Sequence, residues 1–242
     1  VMHAGISACT FCPVGELSNA ARIRCYACKA GEYAYNNEEC IECEGGRYGP
    51  VALSDECLPC YAGARTNNLT GATACTACDA GTYSEGLALE CSVCPTGTYS
   101  STSAKACTPC PKGFFGAAAS SSTCTACESG TAQPKNGSTS CTACESGKYQ
   151  SATGQASCTE CDAGKYSGAS AALCSECAAG SYCPSGASAA LPCPSGRHQN
   201  GTMTALNLSM TSEDDCVECP AGAFCSIGSA AATPCAPGTV NP

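Results

Sequence analysis

Of the 242 residues 28 are cysteine, and 24 of those fall into twelve C-x-x-C pairs, from Cys9/Cys12 to Cys216/Cys219. Three chemistries use such pairs. Two pairs about a dozen residues apart offer four thiolates, enough to close a structural zinc site. One pair on a helix performs thiol–disulfide exchange. Many pairs in an oxidising compartment become disulfides that staple a small secreted scaffold. The rest of the chain favours the third chemistry. It holds only two histidines, His3 and His198, has a net charge of −9, and carries four Asn-x-Ser/Thr sequons at Asn68, Asn136, Asn200 and Asn207. Sequons act only on the secretory route. A redox site needs one special pair, whereas twelve near-identical pairs describe a scaffold. This reading assigns no cofactor and no metal.

The elements that place these cysteines repeat with them. In fourteen copies the second cysteine is followed three residues later by glycine, at 15, 31, 46, 63, 81, 97, 113, 130, 147, 164, 180, 196, 222 and 238. A glycine held at a constant offset marks positive φ or a close backbone approach, so each copy predicts a tight turn that starts a short strand or hairpin. Two residues later nine copies carry an aromatic: Tyr33, Tyr48, Tyr83, Tyr99, Phe115, Tyr149, Tyr166, Tyr182 and Phe224. The predicted place for these rings is over the adjacent disulfide; a stripe of exposed rings for a partner or sugar is the alternative. Ser-, Thr-, Ala- and Gly-rich loops without helical periodicity join the copies. Periods this short imply units that touch only their neighbours, hence an elongated, solenoid-like rod of about fourteen 15–18-residue repeats. The predicted fold class is small, disulfide-rich and mainly β or irregular, with almost no helix.

Composition agrees. Leu, Ile, Val and Phe total 24 of 242 residues, far below the roughly one fifth that a buried apolar core requires. Disulfides closing loops of about 15 residues contribute roughly 3 kcal/mol each on the chain-entropy account. The simplest ladder joins the second cysteine of one pair to the first of the next: Cys12–Cys25, Cys28–Cys40, Cys43–Cys57, Cys60–Cys75, Cys78–Cys91, Cys94–Cys107, Cys110–Cys124, Cys127–Cys141, Cys144–Cys158 and Cys161–Cys174. Two repeats then break step. Alanines stand at 190 and 232 where first cysteines belong, and extra cysteines appear at Cys183 and Cys225, just after the aromatic residue. One lost and one gained points to Cys177–Cys183, Cys193–Cys216 and Cys219–Cys225, with Cys177–Cys193 and Cys183–Cys216 as the competing arrangement.

On the first scheme Cys9 and Cys235 are left over. The opening VMHAGISAC lacks the basic and apolar regions of a signal peptide, and PGTVNP stops just after the glycine of a fresh repeat. Both features lead to the expectation of a piece of a longer array, with Cys9 and Cys235 pairing outside the chain. The alternative is a head-to-tail bond between copies, which would generate an open filament. Residues 1–177 form the regular tandem. Residues 178–242 hold the variant repeats and a long insertion, 197–215, whose two sequons favour a sugar-bearing bulge. Arg65, Ala132 and His198 replace the ring in three repeats, and those are the repeats that bear the sequons. The expectation is that a glycan covers the surface a ring would otherwise cover.

The string C-x-x-C-x-x-G-T-Y, cleanest over residues 78–115, resembles the ephrin-receptor-like and tumour-necrosis-factor-receptor-like cysteine-rich repeats. The resemblance spans nearly the whole chain. It implies small β modules, each with one disulfide closing the C-x-x-G-x-Tyr segment, as found in receptors, adhesion proteins, surface coats and filament proteins. The receptors group their cysteines in six-cysteine domains with adapted loops, whereas this array is more uniform.

An enzyme is not indicated, because neither histidine joins a nucleophile and no carboxylates converge. Acidic balance disfavours nucleic acid, and no apolar run reaches the length of a membrane span. The expected role is that of an extracellular or cell-surface structural glycoprotein, a disulfide-laddered stalk or filament shaft. Its partners would be its covalent N-glycans and other copies or other surface and filament proteins. A ligand-binding or adhesion ectodomain is the alternative, with residues 35–42 (YNNEECIE) as its candidate loop.

Overall fold

A computed structural model describes residues 10–14, 16–36 and 38–241. Each C-x-x-G begins a four-residue turn. In the copy at Cys60, Ala64 donates its N–H to the Tyr61 carbonyl at 3.1 Å, and Gly63, third in the turn, has φ +89°. The equivalent glycines from Gly31 to Gly238 lie between +77° and +89°, the third-position geometry of a type II turn, which only glycine adopts without strain. The turn delivers the chain into the first strand of an antiparallel hairpin. Its second strand is the residue pair enclosed by the next C-x-x-C: Ala64–Arg65 pairs with Thr76–Ala77, between Cys75 and Cys78.

The chain divides into two compact units, residues 1–109 with 116–124 and residues 110–115 with 125–242. The first contains six such hairpins, from Glu16–Ser18 with Cys25–Ala27 to Thr98–Tyr99 with Thr108–Pro109. Its hairpin Glu32–Tyr35 with Glu39–Glu42 has four-residue strands, where most strands have two. The second contains seven hairpins, from Phe114–Phe115 with Thr125–Ala126 to Ala223–Phe224 with Thr233–Pro234. Isolated two-residue hairpins are not stable in water, so backbone bonds between successive repeats and covalent closure must hold them.

Those bonds recur in a fixed set. Gly63 donates its N–H to the carbonyl of Ser84 in the next repeat (2.8 Å) and accepts from Cys78 (2.8 Å), while Leu87 donates to the Cys60 carbonyl (3.0 Å). In the second unit, Gly130 donates to Gln150 (2.7 Å) and accepts from Cys144 (2.9 Å), while Gly154 donates to Cys127 (2.8 Å). The loop residue in this set always has positive φ, whether it is Gly71, Leu87, Ser103, Ser120, Gly154 or Ser170.

The expectation that each unit touches only its neighbours is corrected here. An ideal Cβ on Gly63 would fall 2.2 Å from the carbonyl oxygen of Ser103, which belongs to the next repeat but one; Gly31 meets Gly71 and Gly130 meets Ser170 in the same way. These turns are therefore seated on the loop two repeats downstream, whereas Gly196, Gly222 and Gly238 have open space at that point. Sequence period alone does not show how the repeats stack, and the stacking brings second neighbours into contact.

Among the described residues the only α-helix is α1, Gly201–Ala205, in the long insertion, and a 3-10 turn follows at Glu213–Asp215. Asn200 caps α1, its Oδ1 accepting from Thr202 (3.0 Å) and Met203 (3.3 Å).

Candidate functional site

Sulphur fills the interior of each unit. Cys28, Cys43, Cys94, Cys127 and Cys161 are completely buried, as is Leu17, the one large aliphatic side chain among the described residues with no exposure. The structure links Cys12–Cys25, Cys28–Cys40, Cys43–Cys57, Cys60–Cys75, Cys78–Cys91 and Cys94–Cys107 in the first unit. In the second it links Cys127–Cys141, Cys144–Cys158 and Cys161–Cys174. Cys110 and Cys124 are also disulfide-bonded. Most of these bonds close 12 to 15 residues, the step that the backbone ladder sets. Sulphurs joined in this way are not thiolate ligands. Among the described residues no group of three or more histidine, cysteine or carboxylate side chains is arranged to hold a metal ion, and no helix is long and apolar enough to cross a membrane.

Sequence reasoning missed a recurrent buried position. The residue three after the turn glycine is buried and polar in five copies: Thr66, Ser84 and Ser100 in the first unit, and Gln133 and Ser167 in the second. Its side chain ties one repeat to the previous one. Ser84 Oγ accepts from the N–H of Gly63 (3.0 Å) and donates to the Ala64 carbonyl (2.9 Å). Ser100 donates to Thr82 and Ser167 to Lys148, each at 2.9 Å, and Thr66 Oγ1 accepts from Gly46 at 2.9 Å. Gln133 instead spans its own loop, Nε2 donating to Ser140 (2.7 Å). Each buried hydroxyl is thus satisfied, which removes a penalty of about 1–3 kcal/mol. Aligning the copies on their glycines would have exposed this position, although its residue types vary.

The same repeat position explains the displaced cysteines. Cys183 and Cys225 occupy the same position, three after Gly180 and Gly222, and bond to Cys177 and Cys219, six residues earlier in sequence. Burial moves with them: Cys183 is fully buried while Cys177 is only half-buried. Cys193–Cys216 closes 23 residues around the insertion. Met210 is buried against that bond, with Met203 and Tyr182 beside it, giving the insertion a small core of its own. Cys235, half-buried, has no disulfide partner among the described residues, and Cys9 lies outside them.

The rings at the aromatic position are half-buried from Tyr33 to Tyr182, and only Phe224 is exposed. Their backbones run beside alanines of the following repeat, Tyr83 with Ala104 and Tyr149 with Ala171. Where the ring is missing the three repeats differ. Ala132 is buried at 4 % exposure by the protein itself, while Arg65 and His198 are half-buried. Asn68, Asn136 and Asn207 are exposed and Asn200 is half-exposed. Asn68 donates from Nδ2 to the Glu90 carboxylate. Asn136 uses its Oδ1 to accept the N–H of Lys112 (3.0 Å), in the previous repeat.

Charge is local. Lys165 pairs with Glu176 across a hairpin at 2.8 Å, and this contact raises the lysine pKa. In the insertion the Asp215 carboxylate accepts from the Thr211 N–H (2.7 Å), the Ser212 N–H (3.0 Å) and the Thr211 hydroxyl (3.2 Å). These bonds, the Thr211 amide first, hold its pKa below the ordinary value.

Turn, hairpin and disulfide step together define the class: a cysteine-rich array of extracellular-type repeats, stapled where other domains are oily. Residues 97–140 match the family model described as tyrosine-protein kinase ephrin type A/B receptor-like. Hairpins before and after that segment use the same turn, and most use the same disulfide step, so the chain is a cysteine-rich repeat array similar to ephrin-receptor-like repeats. No curated protein matches the chain.

Proposed function

We propose that this chain is a load-bearing segment of an extracellular structural glycoprotein, a stalk or the shaft of a surface filament. The observation that carries the reading is uniformity: the same turn, the same interrepeat hydrogen bonds and a disulfide at nearly every step. Such a stack has one mechanical property throughout, since tension on any hairpin meets a covalent bond after a dozen or so residues. Its chemistry is structural and noncatalytic, and its sequons carry sugars at Asn68, Asn136, Asn200 and Asn207. Negative-stain electron microscopy of native material tests it. Slender rods or ordered fibres are expected, and compact globules would overturn the reading.

A second reading has one observation in its favour. Exposed large apolar side chains crowd the first repeats, among them Phe11, Ile23, Tyr26, Tyr35, Val51 and Tyr61, while none occurs between Val93 and Leu173. A ligand-binding ectodomain would use that part of the first unit, including the hairpin around residues 35–42. Cross-linking at Lys29 to a cell-surface partner, lost in Tyr26→Ser/Tyr35→Ser, would favour recognition over support.

A further inference from the structure

The repeat that lacks a ring and bears the sequon at Asn136 also borders an open apolar cleft. Phe115, Thr125 and Ala126 of the preceding hairpin form one wall, and Thr131, Ser140 and Cys141 form the other, with Glu128 at its edge. The volume is about 230 Å³. Phe115 is half-buried, so part of its ring faces this space. The sequon lies in the loop that builds the second wall, four residues before Ser140. Its side chain does not swing freely, because Oδ1 takes the N–H of Lys112, three residues before Phe115. The amide nitrogen remains for a sugar, and the amide is anchored to the repeat that supplies the aromatic wall.

We propose that the N-glycan on Asn136 folds back into this cleft and lies on Phe115. The inference rests on the secretory reading above and adds a defined seat for one of its sugars. N-acetylglucosamine suits the space chemically. The apolar C–H face of its ring and its acetyl methyl match an aromatic wall. Its hydroxyls and amide match the Glu128 carboxylate and the hydroxyls of Thr125 and Ser140. Asn207 is different: it is exposed, lies in the long insertion, and contributes to a mainly polar hollow with Gln199, Thr204 and Ser209. No aromatic side chain lines that hollow, so its glycan serves as the internal reference.

The full chain, made in a eukaryotic secretory host, is treated under native conditions with an endoglycosidase that cuts within the core disaccharide, and release is followed site by site by mass spectrometry. Release from Asn136 is expected to be roughly tenfold slower than from Asn207, equivalent to about 1.4 kcal/mol of protection. Phe115→Ala is expected to bring the two rates together while Asn207 is unchanged. Because Phe115→Ala can disturb its hairpin, Asn136→Gln supplies a second reading: radical footprinting of Phe115 rises when the sugar is absent. Equal release from both sites, or unaltered labelling of Phe115 in Asn136→Gln, overturns the proposal but leaves the structural role standing. An unoccupied Asn136 also overturns it. Globules in the electron microscope would instead sink the structural role without touching the cleft.

Discussion

Replacing Gly63 by alanine separates the two demands that the structure places on the turn glycine. The first is conformational: at φ +89° a residue with a Cβ loses about 1–2 kcal/mol. The second is steric. The new methyl would lie 2.2 Å from the Ser103 carbonyl oxygen and 2.6 Å from its carbon. These are backbone atoms of a loop held by its own bond to Cys78 (2.8 Å), so they cannot rotate away as a side chain would. Relieving the overlap adds about 1–3 kcal/mol. Gly196 provides the control, because it has φ +83° and no atom within 4 Å of an ideal Cβ. Gly196→Ala therefore carries the first effect alone. Native-state amide exchange with disulfides intact reads the difference, at Leu87 and Ser103 in one variant and at Gly228 and Cys219 in the other. Protection around Gly63→Ala should fall about 5- to 150-fold further than around Gly196→Ala, the equivalent of the second effect. Equal losses in the two variants would refute the contact between second-neighbour repeats.

Three other perturbations test separate parts of the architecture. Ser84→Ala removes the hydroxyl's bonds to the Gly63 N–H and the Ala64 carbonyl while the Gly63 N–H keeps the Ser84 backbone carbonyl, so stability in urea with disulfides intact should drop by about 0.5–1.5 kcal/mol, while Ser101→Ala, on the exposed loop, should be silent. Replacing both Cys193 and Cys216 by alanine opens a 23-residue separation and should destabilise more than replacing Cys219 and Cys225, separated by 6; chain entropy sets that gap at about 1 kcal/mol, readable as a difference in melting temperature. Asp215 has a folded pKa below its unfolded value, so its contribution is present above the unfolded pKa and is lost as the pH falls through the folded one. The Thr211 and Ser212 amide resonances should therefore shift with a midpoint below the usual carboxylate range, and Asp215→Asn should abolish that titration.

Much of this was legible before any coordinates. The turn at Gly63 is a local matter, decided by four residues and the positive φ that one of them must adopt, and the hairpin follows because the next C-x-x-C arrives at the right distance. A ladder of regularly spaced disulfides was legible for the same reason. The rings were harder. Sequence position could not say whether Tyr83 or Tyr149 would face solvent, and the structure makes them half-buried through the loop of the following repeat. Ala132 shows the converse: a position that looked uncovered is closed by its neighbours.

What the amino-acid order settled by itself was therefore everything governed by short range: repeat length, turn type, hairpin pairing, the replacement of aliphatic burial by cystine, and the near absence of helix. The stacking of successive hairpins was decided only in three dimensions. That stacking seats Gly63 on Ser103 and Gly31 on Gly71, about forty positions away, and buries Thr66, Ser84 and Ser100 in the first unit and Ser167 in the second. The physical reason is that each hairpin is held by backbone hydrogen bonds to the next repeat. Such contacts join residues far apart in the chain, and no single repeat contains them.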